Sequence, residues 1–405
     1  MKTIAIAGTF DSKGRELNFV KEVLEGLGLK TLTIHCGVFE PIFETDVSNE
    51  EVAKEVGGDI HQIASKKDRA LATEVLSKGM EKLIPRLYAE GKFDGIISLG
   101  GTGGTSLVTP GMRALPIGVP KVMVSTVASG NVQQYVGTSD IVMMPSIVDV
   151  SGLNSISTKI FTNAALAIAG MVSLEHKEIA QEKKPLVAAT MFGVTTPCVD
   201  AAREFLEEKG YEVLVFHATG TGGRVMERLI EEGYFKGVLD ITTTEWCDEL
   251  VGGLLAAGPN RLEAAGKHKV PQVVSVGALD MVNFGPIDTV PEKFKGRKFY
   301  KHNPTVTLMR TTVEENKKLG EIIAEKLNKA EGPTVLMLPL KGVSMIDAEG
   351  QPFYGPEEDK ILFDTLRENI DRSKVELIEM DAHINDKEFA LTAAKKLLEL
   401  MENKD

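Results

Sequence analysis

The feature that most constrains this chain of 405 residues is an internal repeat. Residues 4–36 align with residues 186–218 at a constant offset of 182 positions, and apolar runs fall on apolar runs. The matched identities are Phe10 with Phe192, Gly28 with Gly210, and His35 with His217. A chain this long exceeds what one hydrophobic core usually supports. The repeat therefore predicts two similar domains.

Two further matches follow in the same order along the chain. Residues 90–97 match residues 232–239 at an offset of 142, so the first half carries 40 more residues before this point. Residues 119–127 match residues 270–278. Single α/β units resemble one another locally for structural reasons. The conserved order of three matches, rather than any one of them, indicates a duplication.

The repeated unit is predicted to be a strand, a glycine-rich loop, a helix and another strand. Leucine and valine at positions 17, 20, 24 and 27 form one apolar stripe of a helix that ends near Gly26 or Gly28. Mostly apolar runs at 95–99 and 121–124, which also contain Ser98 and Lys121, are typical of strands in a parallel sheet covered on both faces. The predicted fold class is α/β, with two doubly wound, Rossmann-like parallel-sheet domains related by internal duplication.

The domain boundaries are predicted from a polar run at 176–184. We expect a nucleotide-binding domain over residues 1–180 and a second Rossmann-like domain, the substrate or catalytic domain, over residues 185–405. Beyond residue 334 the second half contains strands and helices with no counterpart in the first.

The composition limits the cellular compartments and binding partners that we expect for this protein. With 46 basic and 58 acidic side chains the formal charge is −12, which argues against a nucleic-acid backbone as the main partner. Three widely spaced cysteines form no metal-ligand pattern and leave one thiol over in any disulfide scheme. No secretory signal is visible, and the longest apolar stretch is far below the roughly 20 residues of a membrane helix. We therefore expect a cytoplasmic protein with no membrane partner.

Two loops of the first half follow predicted strands, at 8–14 and 100–105. Ligands of open parallel sheets bind beyond the carboxyl ends of the strands. Glycine-rich turns at helix starts direct backbone N–H groups toward phosphate. A third wall of small polar residues follows the strand that begins at Lys121. The candidate nucleotide-binding residues are Thr9, Phe10, Asp11, Ser12, Lys13, Gly101, Thr102, Gly103, Gly104, Thr105, Thr126 and Ser129.

Roles within this set remain open at the level of sequence. Lys13 is either a point charge for phosphate or a solvated lysine in the first turn of a helix. Asp11 is either a ligand of a divalent cation or a helix cap. Neither loop has the spacing of a standard phosphate-binding fingerprint, so tight structural turns are the alternative.

The equivalent loops of the second half carry ionisable side chains. Glu245 or His383 is a candidate general acid or base, and Arg224 or Arg310 a candidate partner for a carboxylate or phosphate. Asp280 completes the candidate catalytic set Glu245, His383, Arg310 and Asp280. The alternative is that such histidines are structural residues with satisfied hydrogen bonds. No catalytic triad order and no zinc-protease motif gives a sharper class.

Five motifs together resemble a known family. They are GTFDSKG at 8–14, GGTGGT at 100–105, TGGR at 221–224, GALDMVNF at 277–284 and HIND at 383–386. In this order they resemble the ATP-binding amino-terminal region of the tomato mosaic virus resistance protein and its uncharacterised microbial relatives. The resemblance implies two Rossmann-like subdomains, a homodimer, and ATP with Mg²⁺ in the first subdomain. By position it implies ATP contacts at residues 9–13 and 101–105.

The resulting hypothesis is a cytoplasmic ATP-binding protein. Its leading form is a nucleotide-dependent enzyme that acts on a small anionic metabolite, with ATP and Mg²⁺ in the first domain and Asp11 as the metal ligand. The alternative form is an ATP-regulated binding protein that catalyses no reaction.

Overall fold

The computed structural model describes residues 1–173 and 184–403. The chain divides into two compact units, Met1–Ala180 and Gln181–Asp405, each built around a parallel sheet. The polar joint expected at 176–184 lies, apart from Lys184, outside the described residues. The two α/β units confirm the predicted fold class.

The sheet of the first unit has five strands, all parallel to their neighbours. They are β1 (Thr3–Gly8), β2 (Lys30–His35), β3 (Gly95–Gly100), β4 (Lys121–Ser125) and β5 (Val142–Pro145). The strand order β2-β1-β3-β4-β5 is that of flavodoxin-like doubly wound sheets. Its switch point, where a ligand crevice opens, lies between β1 and β3.

Seven helices of the described part of the first unit surround this sheet. They are α1 (Gly14–Gly26), α2 (Asn49–Lys54), α3 (Ile60–Ser65), α4 (Arg69–Ala89), α5 (Thr102–Arg113), α6 (Gln133–Val136) and α7 (Ser157–Ser173). One core lies between the sheet and α1 with α7, and the other lies beneath α4 and α5. The predicted stripe of α1 is buried at Leu17, Val20 and Leu24, whereas Leu27 follows the last turn and is half exposed.

The second unit repeats the sheet and extends it. Its strands are β6 (Leu186–Met191), β7 (Glu212–His217), β8 (Phe235–Thr242), β9 (Gln272–Gly277), β10 (Met281–Phe284), β11 (Phe299–Asn303), β12 (Val306–Arg310), β13 (Thr334–Pro339) and β14 (Val375–Met380). Six of them form a parallel sheet in the order β7-β6-β8-β9-β13-β14, which is the order of the first unit with one strand added.

The helices of the second unit again cover both faces of its sheet. They are α8 (Thr196–Glu208), α9 (Thr221–Glu231), α10 (Glu245–Val251), α11 (Ala264–Lys267), α12 (Val313–Asn328), α13 (Pro356–Asn369) and α14 (Lys387–Glu402). α8 and β7 begin and end at positions that match α1 and β2 at the offset of 182 residues. No helix within the described ranges is both long and apolar enough to cross a membrane.

Two features were not anticipated from the sequence. The 40 additional residues of the first half build α2, α3 and a long α4 where the second unit has only α9. In addition, β10, β12 and β11 form a separate antiparallel sheet between β9 and α12. Arg310, which we expected in a loop of the second half, instead lies at the end of β12 in this antiparallel sheet.

Candidate functional site

A cleft of about 800 Å³ opens in the first unit where β1 and β3 end. Both loops expected to meet there do so. Its polar and glycine lining residues are Thr9, Asp11, Ser12, Lys13, Gly37, Lys67, Asp68, Arg69, Thr73, Gly100, Gly101, Thr102, Gly103, Gly104 and Asp149. Its apolar lining residues are Val38, Phe39, Ile63, Ala64, Ala72, Leu76 and Leu107. The cleft occupies the switch point of the sheet, as expected for a ligand site.

The first loop is a compact turn that leads into α1. The N–H groups of Ser12 and Lys13 donate to the carbonyl of Thr9 at 3.1 and 2.7 Å, and the Ser12 hydroxyl donates to Oγ1 of Thr9 at 3.0 Å. The side chain of Phe10 is buried in the core and does not line the cleft. The loop therefore presents Asp11, Ser12 and Lys13 to the cleft on a rigid turn.

The second loop places the amino terminus of α5 at the cleft. Thr105 N–H donates to the carbonyl of Gly101 at 3.0 Å, so the N–H groups of residues 102–104 precede the first intrahelical bond. A Cβ on Gly103 would meet only Nη2 of Arg69, at 3.1 Å, and one on Gly104 only a carbonyl oxygen at 3.8 Å. Internal packing therefore does not require these glycines, and their lack of side chains leaves the helix start open.

Three further candidate residues do not line this cleft. Thr105 is fully buried, and its hydroxyl contacts the carbonyl of Gly101 at 2.8 Å and the hydroxyl of Ser125 at 2.6 Å. Thr126 and Ser129 line a neighbouring depression of about 420 Å³. Asp149 borders both cavities, so these two residues lie next to the cleft rather than in it.

His35 connects the first loop to the segment after β2. Its Nδ1 accepts N–H groups from Phe10 at 3.1 Å and Gly37 at 3.3 Å, so Nε2 carries the proton. Nε2 donates to the carbonyl of Phe39 at 2.8 Å, and the N–H of Phe39 donates to Oδ2 of Asp11 at 3.0 Å. The sequence singled out His35 only as a repeat identity. The segment 37–39 was missed, although it follows a strand end like the two loops that were found.

Besides Lys13, the cleft contains two cations that the sequence did not suggest. Lys13, Lys67 and Arg69 all line it, and none has an ion-pair partner among the described residues. Asp68 accepts the N–H groups of Ala70 and Leu71 as the cap of α4. Lys67 and Arg69 flank this cap. The helix-start signal at Asp68, within the additional segment of the first half, was the sequence feature that could have identified them.

Asp11 remains the one candidate metal ligand. Its Oδ1 is buried and has no hydrogen-bond partner within the described structure, whereas Oδ2 is held by Phe39. Residues 1–173 and 184–403 contain no group of three side chains arranged to hold a metal ion. Mg²⁺ commonly keeps waters and binds through one or two carboxylates plus substrate phosphates. Asp11 fits that role and could not hold the ion without a phosphate ligand.

In the second unit the glycine-rich turn after β7, which corresponds in the repeat to the segment after β2, is already filled. Oε1 of Glu245 accepts the N–H groups of Gly220 at 2.7 Å and Gly223 at 3.1 Å, at the start of α9. A Cβ on Gly223 would lie 2.1 Å from Oε2 of Glu245, so the carboxylate approaches too closely for any other residue. Glu245 therefore occupies the position that an anion would take at this helix terminus.

Glu245 is part of a buried network that the sequence did not reveal. Nε of Arg261 donates to Oε2 of Glu245 at 2.7 Å, and its two terminal nitrogens donate to Asp240 at 2.5 and 2.7 Å. Glu227 lies 3.3 Å from the same guanidinium, and burial raises the pKa of Glu227. Glu245 is thus held by internal bonds instead of facing a cavity as a general acid or base.

Arg310 and Asp280 belong to a second buried cluster. Nη2 of Arg310 contacts Asp359 at 2.9 Å and Asp347 at 3.2 Å, and Nε donates to the carbonyl of Phe353 at 2.8 Å. Oδ2 of Asp280 accepts the Ser344 hydroxyl at 2.7 Å. Burial raises the pKa of Asp280 to about 6 and that of Asp347 to about 9. One guanidinium thus faces several carboxyl groups, and burial beside Asp280 and Asp359 favours the protonated form of Asp347 by raising its pKa.

His383 lies at a cleft of about 650 Å³ beyond β13 and β14. Its Nε2 donates to the carbonyl of Ser344 at 2.8 Å, and its Nδ1 accepts the N–H of Asn385 at 3.1 Å. Asp359 and Lys341 line the same cleft, but Glu245 does not. The structure therefore brings His383, Asp280 and Arg310 into one region through Ser344 and Asp359, and it places Glu245 in a different network. Arg224 is exposed at the start of α9.

Comparison with known proteins gives one consistent family. The N-terminal domain model of the uncharacterised protein family UPF0261 matches residues 2–177, and the C-terminal domain model matches residues 184–401. A UPF0261 protein of Clostridium tetani is 58% identical over 402 residues, with 99% of each chain covered. A relative from Rhizobium meliloti is 46% identical, with 97% of this chain and 98% of that protein covered.

The same comparison includes a plant protein. The ToMV resistance protein Tm-1 of Solanum lycopersicum is 44% identical over 97% of this chain, which spans 55% of the tomato protein. This chain therefore covers about half the length of the tomato relative.

Proposed function

The chain belongs to the UPF0261 family, and on that premise we propose that it binds ATP with Mg²⁺ in the cleft of its first unit. One observation supports this most strongly. The turn at 9–13 and the open start of α5 converge on one cleft, and the three cations that line it form no ion pair within residues 1–173 and 184–403.

The residues that line the cleft suit a nucleotide. The backbone N–H groups at the start of α5, Lys13 and Arg69 would bind the phosphates. The apolar residues of α3, α4 and α5 offer a surface for a base. The cleft volume of about 800 Å³ falls in the usual range of small-molecule sites, roughly 300–1,000 Å³.

The charge of the protein also has to be reconciled with a polyanionic ligand. A chain with a formal charge of −12 offers no general attraction for ATP. Three aspartates, Asp11, Asp68 and Asp149, line the cleft beside the three cations. Asp68 is used as a helix cap, and Asp11 would hold the Mg²⁺ that offsets phosphate charge. Binding in this proposal relies on placed groups rather than on a basic surface.

Calorimetric titration tests the proposal directly. After removal of any copurified nucleotide, the protein should bind ATP with Mg²⁺, and Gly103→Val with Gly104→Val should abolish binding because the new side chains fill the approach to the α5 amides. Gly170→Val is the control, since a Cβ at Gly170 meets nothing within 4 Å and the residue does not line the cleft. Absence of binding to the stripped wild-type protein would refute the proposal.

The second part of the proposal concerns what the protein does with bound ATP. A nucleotide-dependent enzyme acting on a small anionic metabolite is supported by the cleft lined by His383, Lys341 and Asp359. The alternative, an ATP-regulated binding protein without catalysis, is favoured by the internal bonding of Glu245 and Arg310. Turnover of any metabolite in a broad anionic panel would select the enzyme.

A homodimer in the cytoplasm completes the proposal, supported by the family resemblance and by three buried free cysteines, which fit a reducing compartment.

A further inference from the structure

Phe39 is held at the rim of the first-unit cleft in an unusual way. Its side chain lines the cleft and is 70% exposed. Its backbone is fixed on both sides, because its N–H donates to Asp11 at 3.0 Å and its carbonyl accepts the Nε2 proton of His35 at 2.8 Å. The ring therefore extends from an anchored backbone rather than from a loose loop.

The ring has no partner of its own kind. Among the described residues it forms no aromatic pair, no cation–π contact and no part of a hydrophobic cluster. An exposed phenylalanine forgoes the favourable burial of a large apolar surface. Anchoring such a ring at the edge of a cleft is the arrangement expected when a ligand supplies the missing surface.

The other residues of the cleft indicate which part of the ligand would lie against the Phe39 ring. The proposed phosphate-binding groups belong to the turn at 9–13 and to the starts of α4 and α5, while Ile63, Ala72 and Leu76 join Phe39 as apolar residues of the lining. We propose that Phe39 is the stacking platform for the nucleobase of the bound nucleotide. This inference rests on the proposed function and adds a specificity-determining residue to it.

Stacking has a defined consequence for ligand choice. Every nucleobase has a π face, so a phenylalanine platform favours nucleotides over inorganic polyphosphate without reading hydrogen bonds on the base. Removing an aromatic platform typically weakens binding of a base by between about fivefold and about a hundredfold. A ligand without a base should be unaffected by the same change.

The test compares Phe39→Ala, Phe39→Trp and Phe43→Ala in calorimetric titrations with ATP and with tripolyphosphate, each with Mg²⁺. Phe43 is the matched control, because it lies on the same segment, is 41% exposed and does not line the cleft. We expect Phe39→Ala to weaken ATP by at least fivefold, to leave tripolyphosphate unchanged, and Phe39→Trp to retain ATP. Phe43→Ala should behave as wild type.

The outcomes separate the two proposals. If wild type binds ATP but Phe39→Ala binds it equally well, the platform is refuted and ATP binding stands. Equal weakening of ATP and tripolyphosphate also refutes it, because the substitution would then act by displacing the loop. If stripped wild type binds no ATP, the proposed function itself fails.

Discussion

Glu245 carries the clearest contrast between the two halves at the residue scale. In the first unit the start of α5, after β3, is open to a cleft, whereas in the second unit the Glu245 carboxylate accepts the N–H groups of Gly220 and Gly223 at the start of α9, after β7. An internal carboxylate thus occupies the glycine-rich helix start of the second unit. Glu245 is better explained as a structural residue than as a general base.

Glu245→Gln should therefore destabilise the protein. The substitution leaves the buried Arg261 guanidinium without one of its charged partners, and breaking a buried pair costs about 3–5 kcal/mol. The free energy of unfolding from urea denaturation measures this loss. Glu74→Gln, which breaks an exposed pair with Lys78, should leave the free energy of unfolding nearly unchanged. An unchanged unfolding midpoint for Glu245→Gln together with lost turnover would instead favour the catalytic role.

The carboxyl cluster around Arg310 predicts a pH dependence. Burial raises the pKa of Asp347 to about 9, from about 3.9 in the unfolded chain, so between these values the folded state holds a proton that the unfolded state releases. Stability contributed by this group is complete at low pH and is lost as pH rises toward the folded pKa. Asp347→Asn cannot titrate and mimics the neutral acid.

We therefore expect the stability of Asp347→Asn relative to wild type to increase as pH rises from 5 to 8.5. Urea denaturation at a series of pH values measures the difference, with Asp364→Asn, whose pKa is lowered by Lys360, as the control. A difference that stays constant across this range would show that Asp347 is ionised in the folded protein.

At the scale of elements, the additional segment of the first half forms the cleft wall. α3 contributes Ile63, and α4 contributes Arg69, Ala72 and Leu76. Its helices pack closely, since a Cβ at Gly79 of α4 would lie 2.2 Å from the carbonyl oxygen of Val52 in α2. The insertion is therefore part of the candidate site as well as of the core.

This packing makes two glycines in helix interiors respond oppositely to alanine. Gly79→Ala should destabilise the protein by about 1–3 kcal/mol, because a backbone atom must move to admit the methyl group. Gly170→Ala in α7 should stabilise it by about 0.5–1 kcal/mol, since the space there is open and alanine favours the helix. Thermal unfolding of both variants checks the prediction. Similar shifts for the two would contradict the close approach of α2 and α4.

At the scale of the whole molecule, one architecture appears twice along the chain. Both units share the strand order 2-1-3-4-5, and α1 and α8 coincide at the repeat offset. They differ in what was inserted: α2 to α4 in the first, and an antiparallel sheet with one further strand in the second. The first insertion borders an open cleft, and the second brings Arg310 into a buried cluster.

The sequence by itself determined the elements and their duplication. Apolar runs mark the strands β3 and β4, the spacing of Leu17, Val20 and Leu24 marks α1, and strand-end glycines mark both loops of the cleft. These features are local, because side-chain periodicity follows backbone geometry and parallel strands must end at a common edge.

Only the tertiary structure decided which glycine loop is open and which is filled. The bonds that decide it join residues far apart in the chain, namely Glu245 with Gly220 and Gly223. Whether a carboxylate faces solvent or another side chain depends on the packing of several elements at once, and no periodicity records it. For the same physical reason Arg69 and Phe39 became part of the candidate site only when α4 and the segment after β2 were placed beside β1 and β3.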